Sequence, residues 1–176
     1  MDDDMKIILQ ELEEKMDKID CSALDQAADM LVEANRVYAY GCGRSGFSMQ
    51  AFAMRMMHLG KESHFVHDTC VPPIKPGDAL FVASGSGNTE STAAVVKEAI
   101  QNKASVILIS SAEKSVIQEM ADLLIYIPLD EFNSVQYQSN CYDETQFILQ
   151  DIIIYKARKQ LGLTREAMDQ NHTNIE

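Results

Sequence analysis

The sequence predicts an α/β fold: a single doubly wound domain with a five-stranded parallel sheet, flanked by helices and preceded by N-terminal helices. Five short segments are mostly apolar, as is typical of parallel strands buried on both faces. Segments with helical periodicity alternate with these strands, as they do in α/β proteins. Two glycine-rich turns directly follow the first and third strands, at the carboxyl ends where such sheets bind ligands.

The composition limits the kinds of partner that this protein is expected to have. The 176 residues suit one domain, and their net charge of −12 argues against nucleic acid or an anionic membrane as a partner. An anionic substrate stays compatible with that charge. No apolar run is long enough for a membrane span, and the acidic start does not resemble a signal peptide. Four scattered cysteines without a Cys-x-x-Cys pair predict no structural zinc and a reducing, cytoplasmic setting.

Residues 1–34 are predicted to form two helices that pack on the core or on a neighbouring subunit. The second helix is predicted to begin at Ser22 as its N-cap. The first helix has an apolar stripe between its charged residues, formed by Ile7, Ile8, Leu9, Leu12, Met16 and Ile19.

Residues 35–162 are predicted to form the main part of this one domain, and 163–176 a C-terminal tail. The strands are predicted at 36–40, 63–67, 79–83, 105–110 and 123–127. Helices are predicted from the first glycine-rich turn to about residue 59 and at 90–102, 114–121 and 145–161. The segment 129–144 is polar and is predicted to be irregular.

The turn at 84–91 has the composition of a phosphate-binding loop. It joins an apolar strand to a helix, whose free N–H groups and dipole favour an anion. Gly85 and Gly87 allow a tight turn close to a ligand. No lysine or Walker spacing is present, so the pattern indicates a monoester phosphate on a small molecule. The alternative is an ordinary strand-to-helix turn with Thr89 as N-cap. The hydroxyl donors of the loop are Ser84, Ser86, Thr89 and Ser91.

The turn at 41–46 fits Gly-x-Gly-x-x-Gly, which is a weak signal by itself. One interpretation is a dinucleotide site with Asp68 as the ribose-binding acid. The hydroxyl-rich loop has no place in that arrangement, whereas a sugar phosphate held between two loops uses both.

Residues 41–46 and the following 51–60 resemble the sugar isomerase (SIS) domain family, most closely its 6-phospho-3-hexuloisomerase branch. Residues 84–90 resemble the family's phosphate loop, and the ending 172–176 is similar to the His-x-Asn-Leu-Glu ending of that branch. The resemblance implies a flavodoxin-like sheet and a cofactor-free, metal-free isomerase. Such an enzyme converts D-arabino-hex-3-ulose 6-phosphate to fructose 6-phosphate through a cis-enediol.

The resemblance also implies the residues that bind the substrate. In the first loop and after the second strand these are Ser45, Asp68 and Thr69. In the phosphate loop they are Ser84, Gly85, Ser86, Gly87 and Thr89. Gly43 and Arg44 of the first loop are further candidates for substrate binding, and a surface salt bridge is the alternative for Arg44.

The expected base is where the sequence departs from the family pattern Gly-Thr/Ser-x-Phe-Glu. Residues 139–143 read Ser-Asn-Cys-Tyr-Asp, so Asp143 replaces the glutamate, and Glu144 follows it. Either acid is a candidate base. The remaining interpretation of this departure is that the isomerase activity is reduced or altered. The resemblance gives His172 a proton-transfer role, with the tail reaching a neighbouring subunit's site.

Two function classes therefore stay open: an isomerase, and a phosphosugar-binding module used for sensing. The resemblance implies a homo-oligomer, for which we favour a tetramer over a dimer.

Overall fold

Five parallel strands form the sheet of this computed structural model, which describes residues 2–129, 134–137 and 140–175. The strand order is β2-β1-β3-β4-β5. Their bounds are β1 Val37–Gly41, β2 Ser63–Phe65, β3 Ala79–Ala83, β4 Ser105–Ser110 and β5 Leu123–Tyr126. The helices are α1 Asp3–Met16, α2 Cys21–Glu33, α3 Gly43–His58, α4 Glu90–Gln101, α5 Asn140–Gln160 and α6 Arg165–Gln170. The predicted doubly wound parallel sheet is confirmed.

The sheet order places two crossovers side by side. From β1 the chain passes through α3 to β2, and from β3 it passes through α4 to β4 in the opposite direction. Right-handed crossovers in opposite directions put α3 and α4 on opposite faces of the sheet. The ends of β1 and β3 are adjacent because Gly41 pairs with Ala83. The two glycine-rich loops therefore meet at this switch point, which is where doubly wound sheets bind ligands.

The core explains why the strands are apolar runs rather than alternating patterns. Every residue of β1 and β3 is buried, since helices cover both faces of the sheet. α5 packs against α2 and α3, and α1 packs against α5. Gly46 in the first turn of α3 lies so close to β1 that an added Cβ would be 2.6 Å from the Gly41 carbonyl oxygen. This close packing anchors the start of α3 against the strand.

Three helix predictions differ from the structure. The predicted helix at 114–121 is only the 3₁₀ turn Gln118–Met120, because the chain is extended again at Ala121 and leaves room for a single turn. The last long helix begins at Asn140 rather than at 145, so part of the predicted irregular segment is helical. Residues 130–133 and 138–139 of that segment lie outside the described residues. The predicted tail contains α6.

The N-cap of α2 is Asp20 and not Ser22. The Asp20 carboxylate accepts the Ser22 N–H at 2.8 Å and the Ser22 hydroxyl at 2.7 Å. A carboxylate at this position satisfies a free N–H of the first turn and complements the helix dipole.

The apolar stripe of α1 divides into two parts. Met16 packs against the core and Ile19 is buried, whereas Ile7, Ile8 and Leu9 are exposed. The second part of the stripe thus serves the chain's own core. Among the described residues, no helix combines the length and the apolar character needed to cross a membrane.

Candidate functional site

Both loops border one cavity at the carboxyl ends of the strands. It has a volume of about 310 Å³ and lies where α3, α4 and α5 begin. The helix starts direct free N–H groups and their positive dipole ends toward this region, which favours an anion. The cavity is lined by Cys42, Ser45, Ala83, Ser84, Gly85, Ser86, Thr89, Ser111, Tyr142 and Asp143.

The loop after β3 is held in shape by hydrogen bonds and by one glycine. Gly87 has a φ of +62°, and a Cβ there would lie 2.1 Å from the Ser115 Oγ. Its N–H donates to the Ser84 carbonyl at 3.1 Å, and its own carbonyl accepts the Ile117 N–H at 3.0 Å. The Ser84 and Thr89 hydroxyls are 3.2 Å apart. Hydroxyls and N–H groups are thereby gathered at one point, an arrangement suited to phosphate oxygens.

Asp143 brings a carboxylate to the rim of the same cavity. It lies in the first turn of α5, and its side chain is only 10% exposed. The Ser45 hydroxyl donates to its Oδ1 at 3.2 Å, and the Arg44 Nε donates to its Oδ2 at 2.9 Å. The two donors belong to α3, so the ion pair connects the starts of α3 and α5.

Glu144 faces a different cavity. Its Oε2 accepts the Gln136 Nε2 at 2.7 Å. The neighbouring cavity of about 550 Å³ is mostly apolar and is lined by Leu12, Arg44, Phe47, Ser48, Asp143, Glu144, Phe147 and Ile148. Of the two candidate bases, only Asp143 borders the cavity that contains the phosphate loop.

His172 is distant from these carboxylates within one chain. Its ring stacks on His58 with centroids 5.0 Å apart, and the neighbouring Asn171 amide donates to the His58 carbonyl at 3.0 Å. His58 ends α3 and Ser45 lies in its first turn. Thirteen residues of helix at about 1.5 Å each separate them by about 20 Å. A single chain does not bring His172 and Asp143 together.

Five of the predicted substrate-binding residues are not among the described residues that line the smaller cavity: Gly43, Arg44, Asp68, Thr69 and Gly87. Asp68 and Thr69 are exposed after the edge strand β2 and are not among the described residues that line it. Gly43 has a φ of +59°, with no atom of the described chain within 4 Å of an added Cβ. The site residues that the structure brings together are therefore Ser45, the phosphate loop and Asp143.

Sequence reasoning assigned no role to three polar residues that line the cavity: Cys42, Ser111 and Tyr142. Burial raises the pKa of the Cys42 thiol, but hydrogen bonds with Ser91, Tyr40 and Thr92 bring the pKa below its ordinary value. The Ser91 hydroxyl is 3.1 Å from its sulfur. Ser111 follows β4 directly, and its hydroxyl donates to the Gly85 carbonyl at 2.8 Å. A hydroxyl residue at the carboxyl end of a neighbouring strand is the signal that could have identified Ser111.

The chain belongs to the SIS domain family, whose sequence profile matches residues 30–142. The 3-hexulose-6-phosphate isomerase of Bacillus subtilis is 32% identical over 96% of this chain and 95% of that protein. The enzyme of the same name from Methanocaldococcus jannaschii is 34% identical over 86% of this chain and 83% of that protein. A crystal structure from Methanococcus jannaschii, from which a 3-hexulose-6-phosphate isomerase function was inferred, superposes with a TM-score of 0.85. Its sequence is 31% identical, and the match covers 98% of this chain and 99% of that one.

Proposed function

We propose that this protein is a cofactor-free sugar-phosphate isomerase that interconverts D-arabino-hex-3-ulose 6-phosphate and fructose 6-phosphate through a cis-enediol. The observation that carries the proposal is the shared cavity, in which the Asp143 carboxylate and the hydroxyls of Ser84, Ser86 and Thr89 face one space. The loop holds the phosphate and thereby orients the sugar for reaction. The names of the two relatives of 32% and 34% identity support the same substrate.

Asp143 is the proposed base. It removes the proton from C2 of the hexulose, which gives an enediol across C2 and C3, and then returns a proton to C3. Meanwhile the hydroxyl proton on O2 leaves and O3 gains one, so that the carbonyl moves from C3 to C2. A positioned general base contributes about 10²- to 10⁴-fold to such a step. The hydrogen bonds from Ser45 and Arg44 hold this carboxylate in one orientation at the cavity rim.

The test is hydrogen exchange into fructose 6-phosphate in D₂O, followed by proton NMR. We expect loss of the C3 proton signal, because C3 is the carbon that is deprotonated in the reverse direction. D143N should slow the exchange about 10²-fold or more, as expected for removal of a general base. The matched control is D151N, an exposed aspartate of the same helix, which should exchange like the unaltered protein. E144Q should be far less affected than D143N.

Other outcomes of this experiment would contradict the proposal in recognisable ways. Exchange at C1 instead of C3 would indicate an aldose–ketose isomerase. Saturable binding of fructose 6-phosphate without exchange would indicate a phosphosugar-binding module. Two observations favour this second candidate. The Arg44 guanidinium lies 2.9 Å from the Asp143 carboxylate, so this carboxylate is already engaged in an ion pair. The aspartate side chain is also shorter than the glutamate of the family pattern.

We further propose a homo-oligomer, with a tetramer favoured over a dimer, in which His172 serves a neighbouring subunit. Exposed apolar side chains support this assembly, and they lie on α1, α3 and α5: Met5, Ile7, Ile8, Leu9, Phe47, Met54, Met57, Phe147 and Ile148. His172 also supports this assembly, because the rise of α3 places it about 20 Å from the cavity of its own chain.

The cysteines are free thiols, which supports a cytoplasmic location.

Subunit mixing tests the assembly. D143N and H172A chains are each expected to be weakly active, and co-expression should restore part of the activity if His172 acts on a partner's substrate. Light scattering gives the mass of the particle. Monomeric protein with full activity would contradict the assembly, and inactive mixed oligomers would contradict the role of His172 in a neighbouring site.

A further inference from the structure

The hydroxyl of Tyr142 lies where the sheet, the phosphate loop and α5 meet. Tyr142 is 1% exposed, and its hydroxyl donates to the Ile109 carbonyl at 2.9 Å. The same carbonyl accepts the N–H of Ser84, the first residue of the phosphate loop, at 3.1 Å. One carbonyl at the end of β4 thus binds both the loop and the start of α5.

The ring of Tyr142 forms part of the cavity floor. A Cβ added to Gly85 would lie 3.4 Å from the ring carbons Cδ1 and Cε1, so the loop backbone faces the ring with space for no more than a methyl group between them. The ring also lines the cavity beside Asp143, its neighbour on α5. Movement of Tyr142 therefore changes the distance between the loop and the carboxylate.

Electrostatics keep this hydroxyl protonated. Burial raises the pKa of the Tyr142 phenol, and the negative charge of Asp143 raises it further, whereas hydrogen bonding with the Ser84 amide and the Ser45 hydroxyl lowers it. The net pKa is well above the ordinary value. The hydroxyl is thus a permanent donor to Ile109 across the working pH range of the protein.

The phosphate loop does not depend on this bond. Hydrogen bonds from Gly87 to Ser84, from Ser111 to Gly85 and from Ile117 to Gly87 hold the loop independently of α5. The start of α5 is bound to α3 through Arg44 and Ser45, and the Tyr142 hydroxyl binds it to the sheet. Loss of the hydroxyl therefore removes a bond between the start of α5 and the sheet, while the loop keeps its own bonds.

We infer that Tyr142 is a positioning residue, which acts through Asp143 by fixing the start of α5 relative to the phosphate loop. The inference rests on the proposed isomerase function. Its physical basis is that a proton transfer tolerates little displacement of the base, whereas phosphate binding draws most of its hydroxyl and N–H donors from the loop.

The experiment is Y142F, which keeps the buried ring and removes the hydroxyl. A shift of the carboxylate of about 1 Å should lower kcat about 10- to 100-fold. Affinity for fructose 6-phosphate, measured by calorimetry, should stay within about twofold, since the loop keeps its own bonds. Y155F is the matched control, because Tyr155 lies on the same helix and is 54% exposed. It should leave both quantities unchanged.

Each result decides between the alternatives. A kcat of Y142F close to that of the unaltered protein overturns the inference while the proposed function stands. Loss of affinity in step with kcat, or loss of folding, indicates a merely structural role and also overturns it. An unaltered protein that binds fructose 6-phosphate without turnover overturns the proposed function, and this inference with it.

Discussion

Gly87→Ala is expected to damage the phosphate loop, because this position needs glycine for two separate reasons. Its φ of +62° lies in the left-handed region, and an alanine there costs about 1–2 kcal/mol of folding free energy. A Cβ would also lie 2.1 Å from the Oγ and 2.6 Å from the Cβ of Ser115, so the backbone around Ser115 must move. That movement breaks the bond from the Gln118 N–H to the Ser115 hydroxyl, which costs about 1 kcal/mol more.

Gly162→Ala is the matched control. Its φ is +65°, close to that of Gly87, but no atom of the described chain lies within 4 Å of the added Cβ. It follows α5, away from the cavity. Both variants therefore share the backbone cost, and only Gly87→Ala has the steric cost.

The assays are thermal unfolding and calorimetric binding of fructose 6-phosphate. An extra cost of about 1 kcal/mol should lower the Tm of Gly87→Ala by about 2–4 °C below that of Gly162→Ala. Affinity should fall at least about tenfold in Gly87→Ala alone, which corresponds to about 1.4 kcal/mol of lost binding. Equal Tm values together with unchanged affinity in both variants would refute this reasoning.

Three further perturbations test other contacts. R44Q should lower kcat because the Asp143 carboxylate loses its ionic donor. Tm should fall by no more than about 2–4 °C, as an ion pair whose arginine is mostly exposed contributes about 1 kcal/mol or less. Iodoacetamide should alkylate Cys42 faster than the other exposed cysteines, because the lowered pKa of the Cys42 thiol gives more thiolate at neutral pH. Fructose 6-phosphate should slow this alkylation. Mass spectrometry measures the alkylation rate with and without the sugar phosphate. K61M should lower the free energy of unfolding by about 1–2 kcal/mol, since the Lys61 ammonium donates to the Val32 and Ala34 carbonyls at the end of α2. An unchanged midpoint of urea unfolding would contradict this expectation.

The sequence by itself determined the strands, because their local pattern reflects their burial. Each central strand is covered on both faces, so a run such as Ala79–Ala83 is apolar throughout and needs no partner to be recognised. The composition of the turns also acts locally: glycine and hydroxyl residues between a strand and a helix indicate phosphate wherever the chain places them. The predicted helix at 114–121 was wrong because the chain becomes extended at Ala121, just before β5, which a periodicity pattern does not reveal.

The tertiary structure alone decided which side chains share the cavity. Ser45, Ser84, Ser111 and Asp143 come from four separate segments, and only the strand order and the packing of α5 bring them together. The sequence offered two adjacent acids, but residues that are neighbours in a helix point about 100° apart, so the start of α5 directs Asp143 to the cavity and its neighbour away. The hydroxyl of Tyr142 gave no signal in the sequence, because its partner is a backbone carbonyl 33 residues away on β4.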